Sequence, residues 1–139
     1  GYERELGFID ALTKNNLKVD YDLIKNGEFS SESGYNLCKE ILKLNKSIDS
    51  IICATDNIAL GVIECLKENN LQIPKDIGVI SIGDSKISKV LTPKLSTLHY
   101  HYKTSGVEAG KVIISKINNK TNDIVKIKLG YEYIERESI

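Results

Sequence analysis

The chain is predicted to fold as an α/β domain built on a parallel sheet. Two apolar runs, residues 50–54 and 77–82, lack the apolar-polar alternation of a strand that is wet on one face, and so read as strands covered on both sides. Between them, Ile58, Ala59, Val62, Ile63 and Leu66 recur at helical spacing. Strand, helix and strand in succession imply a right-handed crossover between parallel neighbours. At 139 residues, 41% of them hydrophobic, the chain can bury one core, which bounds it to one domain or one lobe.

The elements follow in order. Over residues 4–15, Leu6, Phe8, Ile9, Ala11 and Leu12 form an amphipathic stripe that Lys14, Asn15 and Asn16 close with turn formers. Residues 21–24 read as a short extended stretch before Gly27. Ser30 or Ser31 is then a natural N-cap for a second helix carrying Tyr35, Leu37, Cys38, Ile41 and Leu42. The first buried strand, the helix after Thr55-Asp56-Asn57 and the second buried strand come next, with Ile73-Pro74 ending the connection. Gly83-Asp84-Ser85 leads into a short helical piece with Ile87, Val90 and Leu91, stopped by Thr92-Pro93. Residues 95–102 look extended, 105–118 helical, 118–122 a polar turn, and 124–134 alternate as a strand.

Composition removes several functional classes. Lysine plus arginine equals aspartate plus glutamate at 19 each, so the segment has no net field with which to gather nucleic acid or an anionic membrane. Cys38, Cys53 and Cys65 are odd in number, lack C-x-x-C spacing and lie in apolar segments, which marks them as small core residues of a reducing compartment. No stretch approaches the roughly 20 apolar residues of a membrane span. No n-region and h-region stand at Gly1, but the chain starts abruptly with a helix pattern, so truncation would account for that equally.

In open parallel sheets, ligands sit outside the carboxyl ends of the strands. Thr55-Asp56-Asn57 and Gly83-Asp84-Ser85 each follow a buried strand, and Arg4 and Phe29 lie near helix starts, so four separated segments converge on one rim. Arginine is scarce, with 17 lysines against Arg4 and Arg136 alone, and its planar fork can grip two ligand oxygens at once. A solvated helix arginine fits Arg4 equally well. Phe29, one of two phenylalanines, precedes a helix cap, where it is either a hydrophobic staple or a flat platform for a sugar ring. Asp56 and Asp84 are either ligand-orienting acceptors or helix caps. His99 and His101 alternate on an extended stretch without a third metal ligand, and no cofactor site is found. Gly106 to Lys111 reads G-V-E-A-G-K, one residue short of a phosphate loop and inside a helix. No nucleophile elbow, dinucleotide fingerprint or Cys-His pairing appears, so the case for an enzyme is weak.

Taken together, several stretches resemble the core of LacI/GalR-family regulators along essentially the whole chain. They are Arg4-Glu5-Leu6-Gly7-Phe8 with Ala11-Leu12, Gly27-Glu28-Phe29 with Ser33-Gly34-Tyr35, and Thr55-Asp56-Asn57-Ile58-Ala59-Leu60-Gly61. The order continues with Ile73-Pro74-Lys75-Asp76-Ile77-Gly78-Val79, Leu91-Thr92-Pro93-Lys94-Leu95-Ser96-Thr97 and Arg136-Glu137-Ser138.

The resemblance implies a parallel-sheet lobe of a two-lobed, periplasmic-binding-protein-like sensor, incomplete at its N-terminus. Residues 1–139 would form the C-terminal effector-binding and dimerisation lobe, and residues 105–118 a crossover helix belonging to a first lobe outside the chain. Operator DNA would be reached only through an absent helix-turn-helix. It makes Arg4 the arginine that grips a sugar effector and Phe29 the aromatic beside it. Thr55 and Asp56 stand at the usual Asn-Asp pair, Gly83 and Asp84 at the loop after the second strand, and Tyr100 where a glutamine is frequent. The Ile-Gly-Asp-Ser-Lys run looks like sucrose-type operon repressors. Subunits would pair as a homodimer through Ile58, Val62, Cys65, Ile87 and Leu91. The implied protein is a cytoplasmic sugar-responsive repressor, neither membrane-bound nor catalytic. Two alternatives are an extracytoplasmic sugar-binding protein of a transport system and a small enzyme using Asp56 and Asp84 as a carboxylate pair. The helix at 105–118 carries Val107, Val112, Ile113 and Ile117 on one face and is expected to pack on its own lobe or on a neighbouring chain.

Overall fold

A computed structural model of the chain describes residues 1–120 and 123–139. Helix α1 spans Tyr2–Lys14, α2 Ser31–Lys43, α3 Asp56–Glu68, α4 Lys86–Val90 and α5 Tyr102–Asn119. Strands β1 (Ser50–Ile52), β2 (Gly78–Ile82), β3 (Ser96–Tyr100) and β4 (Tyr131–Ile134) form one sheet in the order β1-β2-β3-β4. The first three run parallel, Ile52 beside Ile80 and Ile82 beside Leu98, whereas β4 pairs antiparallel with β3, Tyr100 facing Tyr131.

Serine and threonine start the helices and asparagine ends them. Ser30, Thr55 and Ser85 accept the free backbone N–H of Ser33, Ile58 and Ile87 at the first turns of α2, α3 and α4. Asn16, Asn45 and Asn70 follow α1, α2 and α3 with φ of 56°, 51° and 58°. This left-handed conformation is one that asparagine tolerates better than most residues. It returns the Leu17 and Leu71 amides to the carbonyls of Leu12 and Leu66, at 2.9 and 3.0 Å.

The core lies between the sheet and the α2–α3 pair, with Ile63, Leu66, Val79 and Leu95 fully enclosed and all three cysteines buried as free thiols. Burying each such aliphatic side chain contributes roughly 1.5–3 kcal/mol. The two helices meet backbone to backbone: a Cβ built on Gly61 would lie 1.8 Å from the Ser31 carbonyl oxygen, and one on Gly34 2.2 Å from that of Ile58. This crossing aligns the first turns of α2 with the first turns of α3.

The closing Arg136-Glu137-Ser138 stitches the strand starts together. The Ser138 hydroxyl donates to the Val79 carbonyl at 2.5 Å and accepts from the Ser96 amide at 2.8 Å. The Glu137 carboxylate accepts the Lys94 amide at 2.9 Å.

Four expectations are corrected. The sheet is mostly rather than wholly parallel, because β4, which follows β3 only after α5, runs antiparallel along its edge. Residues 21–24 are not extended; Tyr21–Leu23 form a 3-10 turn capped by the Asp20 carboxylate. Of the alternating stretch 124–134, only Tyr131–Ile134 is strand, since the residues before it find no partner edge. The polar turn expected at 118–122 falls partly outside the described residues.

The fourth correction concerns α5. It starts at Tyr102, with His101 alone linking it to β3, and none of its residues is buried. Val107, Ile113, Ile114 and Ile117 are exposed, so the helix does not pack on its own lobe. A one-residue connection is too short to turn a helix back over the sheet it has just left, as α3 does after the longer Cys53–Thr55 link.

Candidate functional site

The carboxyl ends of β1, β2 and β3 open on one rim, and the loops behind them carry most of the residues expected there. The first turn of α1 reaches it directly: an Arg4 guanidinium N–H donates to the Ala54 carbonyl, 2.8 Å away, at the end of β1. One bond leaves the rest of the fork's donors free for another acceptor. Thr55, next in the chain, is half-buried. Phe29 arrives through the α2–α3 crossing, which sets the start of α2 beside the start of α3, and it is 54% exposed. With Ser30 as N-cap, the position a hydrophobic staple would contact is Gly34, which has no side chain, so the staple reading fails. Tyr100 closes β3 on the same side.

Asp56 and Asp84 are neither caps nor exposed acceptors. Thr55 and Ser85 do the capping. Asp56 is 3% exposed and lies under the rim. One of its oxygens accepts from the Ser81 hydroxyl and, at 3.2 Å, from that of Thr97; the other accepts the Ser85 amide at 2.6 Å. The carboxylate thereby ties the loop after β1 to the loop after β2 and to the faces of β2 and β3. Gly83, at φ +152°, is required by this arrangement, because a Cβ there would come within 3.2 Å of Asp56 Oδ2.

Asp84 is held by charge. Arg136 Nη2 lies 2.5 Å from its Oδ1, while Lys89 Nζ and His99 Nδ1 each stand 3.3 Å from its Oδ2. The Ser88 hydroxyl adds a 3.4 Å bond. Burial works to raise the Asp84 carboxyl, but Arg136 and Lys89 outweigh it and hold the group below its ordinary value. Burial pushes the Cys53 thiol up to about 12 and raises Cys38 as well, as fits inert core residues.

Sequence reasoning missed three participants. Ser81 is a polar residue inside an otherwise apolar strand, a signal that a buried acceptor waits beneath it, whereas Thr97 stands in the mixed strand β3 and gives no such signal. Tyr102, expected at the end of an extended stretch, is the first residue of α5, and its hydroxyl donates to the Gly83 carbonyl at 2.9 Å. Among the residues expected at a subunit contact, Val62 and Cys65 are corrected: at 3% and 0% exposed they belong to the chain's own core, on the side of α3 that faces α2 and the sheet. Ile58, Ile87 and Leu91 are half-buried, and beside the last two Val90 is 77% exposed.

Comparison with known proteins places this geometry. A family model described as a periplasmic binding protein-like domain matches residues 1–139. The HTH-type transcriptional regulator RegA of Clostridium saccharobutylicum is 32% identical over 136 residues, covering 98% of this chain and 41% of the regulator. The HTH-type transcriptional repressor PurR of Pasteurella multocida is 30% identical over 133 residues, covering 96% and 40%. The chain thus spans less than half the length of these relatives. Among solved structures, the transcriptional regulator LacI from Bacillus cereus subsp. cytotoxis superposes with a TM-score of 0.93 at 27% identity, covering 99% of this chain and 49% of that one. The transcriptional regulator CelR in its cellobiose complex superposes with the same score at 24% identity, covering 99% and 42%. A match over every residue, with HTH-type transcriptional regulators among the curated relatives, shows that the chain belongs to the periplasmic binding protein-like domain family, in the form carried as the effector-binding region of LacI/GalR-type regulators.

Proposed function

We propose that the chain is the effector-binding and dimerising lobe of a cytoplasmic, sugar-responsive transcriptional repressor, and that it works by binding alone, without covalent chemistry. The sugar lies on the rim with a ring face on Phe29, its hydroxyls gripped by Arg4 and met by Thr55 and Tyr100. Asp56 and Asp84 shape the rim from beneath and through Gly83 fix the loop the ligand rests on. A second copy pairs through Ile58, Ile87, Val90 and Leu91. Operator DNA is contacted by a helix-turn-helix outside this segment, and sugar and operator affinities are linked by one coupling free energy.

The observation that carries the reading is the Arg4–Ala54 bond, which brings the first turn of α1 to the end of β1 beside Thr55 and Asp56. The net charge of zero supports a lobe that leaves DNA to another domain.

The test is calorimetric titration of cellobiose and sucrose into the chain and its Arg4→Ala and Arg4→Lys variants. A charge-assisted hydrogen bond lost from the ligand weakens binding by roughly 10- to 100-fold in Arg4→Ala, and lysine, lacking the planar fork, restores little of it. Saturable binding that both variants leave unchanged would remove Arg4 from the site.

A further inference from the structure

Helix α5, like α1, takes little support from the lobe. None of its residues is buried, its N-cap His101 makes no side-chain capping bond, and a single residue joins it to β3. Its direction therefore has to be set at its first turn, and what acts there is Tyr102. The Tyr102 ring stands edge-on to His99 and Tyr100, with centroids at 5.8 and 6.1 Å and interplanar angles of 90° and 84°. Those contacts hold the ring against the end of β3. Its hydroxyl reaches back to the Gly83 carbonyl, at 2.9 Å.

Gly83 is not a passive acceptor. Its amide donates to the Leu98 carbonyl at 2.8 Å, a Cβ built on it would lie 3.2 Å from Asp56 Oδ2, and two residues on the Ser85 amide is held by the same carboxylate. Consecutive positive φ angles at Gly83 and Asp84 make the loop a tight bend whose carbonyl direction is fixed by these ties. Any shift of the loop moves that carbonyl, and the Tyr102 hydroxyl must follow it or let go.

We propose that Tyr102 is the positioning residue that couples the rim loop Gly83-Asp84-Ser85 to the direction in which α5 leaves the lobe. This rests on the proposed ligand-binding role of the rim and supplies its route outward: a sugar hydroxyl that takes the Gly83 carbonyl displaces the tyrosine hydroxyl and frees the helix. Tyr102 acts through the loop and the helix and need not touch the ligand.

The coupling is read by pulsed electron–electron dipolar spectroscopy on the full chain carrying Ile113→Lys and Ile117→Lys to suppress association through α5 and diluted with unlabelled chain, with spin labels at Lys43→Cys on α2 and Ser115→Cys on α5, both exposed positions. The native cysteines are buried and do not compete for label. Tyr102→Phe keeps the ring and removes only the hydroxyl. The expected result is a broader distance distribution in the ligand-free variant, the released fraction rising about fivefold, the weight of one net hydrogen bond. Thermal unfolding should be unchanged. An identical distribution in the two proteins overturns the proposal.

Adding cellobiose or sucrose, whichever titrates, should move the parent distribution toward that of Tyr102→Phe and leave the variant where it was. Equal shifts in both overturn the coupling even if the tether is real. Should neither sugar bind, the rim's ligand is misassigned, and the ligand-free comparison still decides whether Tyr102 aims α5.

Discussion

Two aspartates beneath the rim are stabilised by opposite means. Asp56 is met by neutral donors, two hydroxyls and an amide, whereas Asp84 is met by the cations Arg136 and Lys89 with His99 beside it. Because those cations hold the Asp84 carboxyl low, its contribution to stability is present above the unfolded carboxylate value and is lost only as pH falls through the still lower folded value. Replacing Arg136 by Met removes one such cation while burial continues to favour the neutral acid. The folded value then rises toward the unfolded one, so Arg136→Met should be less stable than the parent near about pH 7 and lose less stability on acidification, the two curves converging toward about pH 3. Urea midpoints measured from about pH 7 down to about pH 3 check this, and parallel curves would show that the pair carries no pH-linked stability. At this scale the sequence showed which residues stand near the rim, but not which way they turn. Ser81 and Thr97 lie 25 and 41 residues beyond Asp56, and Arg136 lies 52 beyond Asp84, so the partners that draw both carboxylates inward become visible only once the strands are side by side.

Elements were more legible, because their signals are local. Helical spacing located α1, α2 and α3, and Ser30 and the Asn15-Asn16 pair marked real ends. The tertiary role of a helix left a fainter trace: Gly61 and Gly106 both sit inside helices, yet a methyl group has opposite consequences at the two sites. At Gly61 it collides with the Ser31 carbonyl and the Tyr35 amide across the α2–α3 crossing. Gly61→Ala should cost about 3 kcal/mol, the upper range for overpacking, seen as a lowered urea midpoint. At Gly106 nothing lies within 4 Å. Gly106→Ala should instead favour α5 by about 0.8–1 kcal/mol, seen as slower amide exchange along that helix with the lobe's midpoint unmoved. The stretch 124–134 misled for the same reason in reverse: its alternation is genuine, but a strand needs a partner edge, and β3 offers one only to Tyr131–Ile134.

At the scale of the whole molecule, two of the apolar surfaces exposed among the described residues make distinguishable demands on assembly. One is the small patch of Ile87, Val90 and Leu91 on and just after α4, proposed above as a subunit contact. The other is the face of α5 with Val107, Ile113, Ile114 and Ile117. The helix face holds far more exposed aliphatic surface, of a kind that stable monomers rarely leave open. The isolated chain should therefore self-associate mainly through α5. Sedimentation velocity over a concentration series should show assemblies larger than the monomer, and Ile113→Lys with Ile117→Lys should shrink them to a dimer held at α4. Adding Val90→Lys should then leave a monomer. Because these side chains lie outside the core, all three substitutions should leave the lobe's unfolding within about 0.5 kcal/mol of the parent. If Val90→Lys alone dissolved the large assemblies, α4 would be the dominant surface and the exposed face of α5 would carry little of the association.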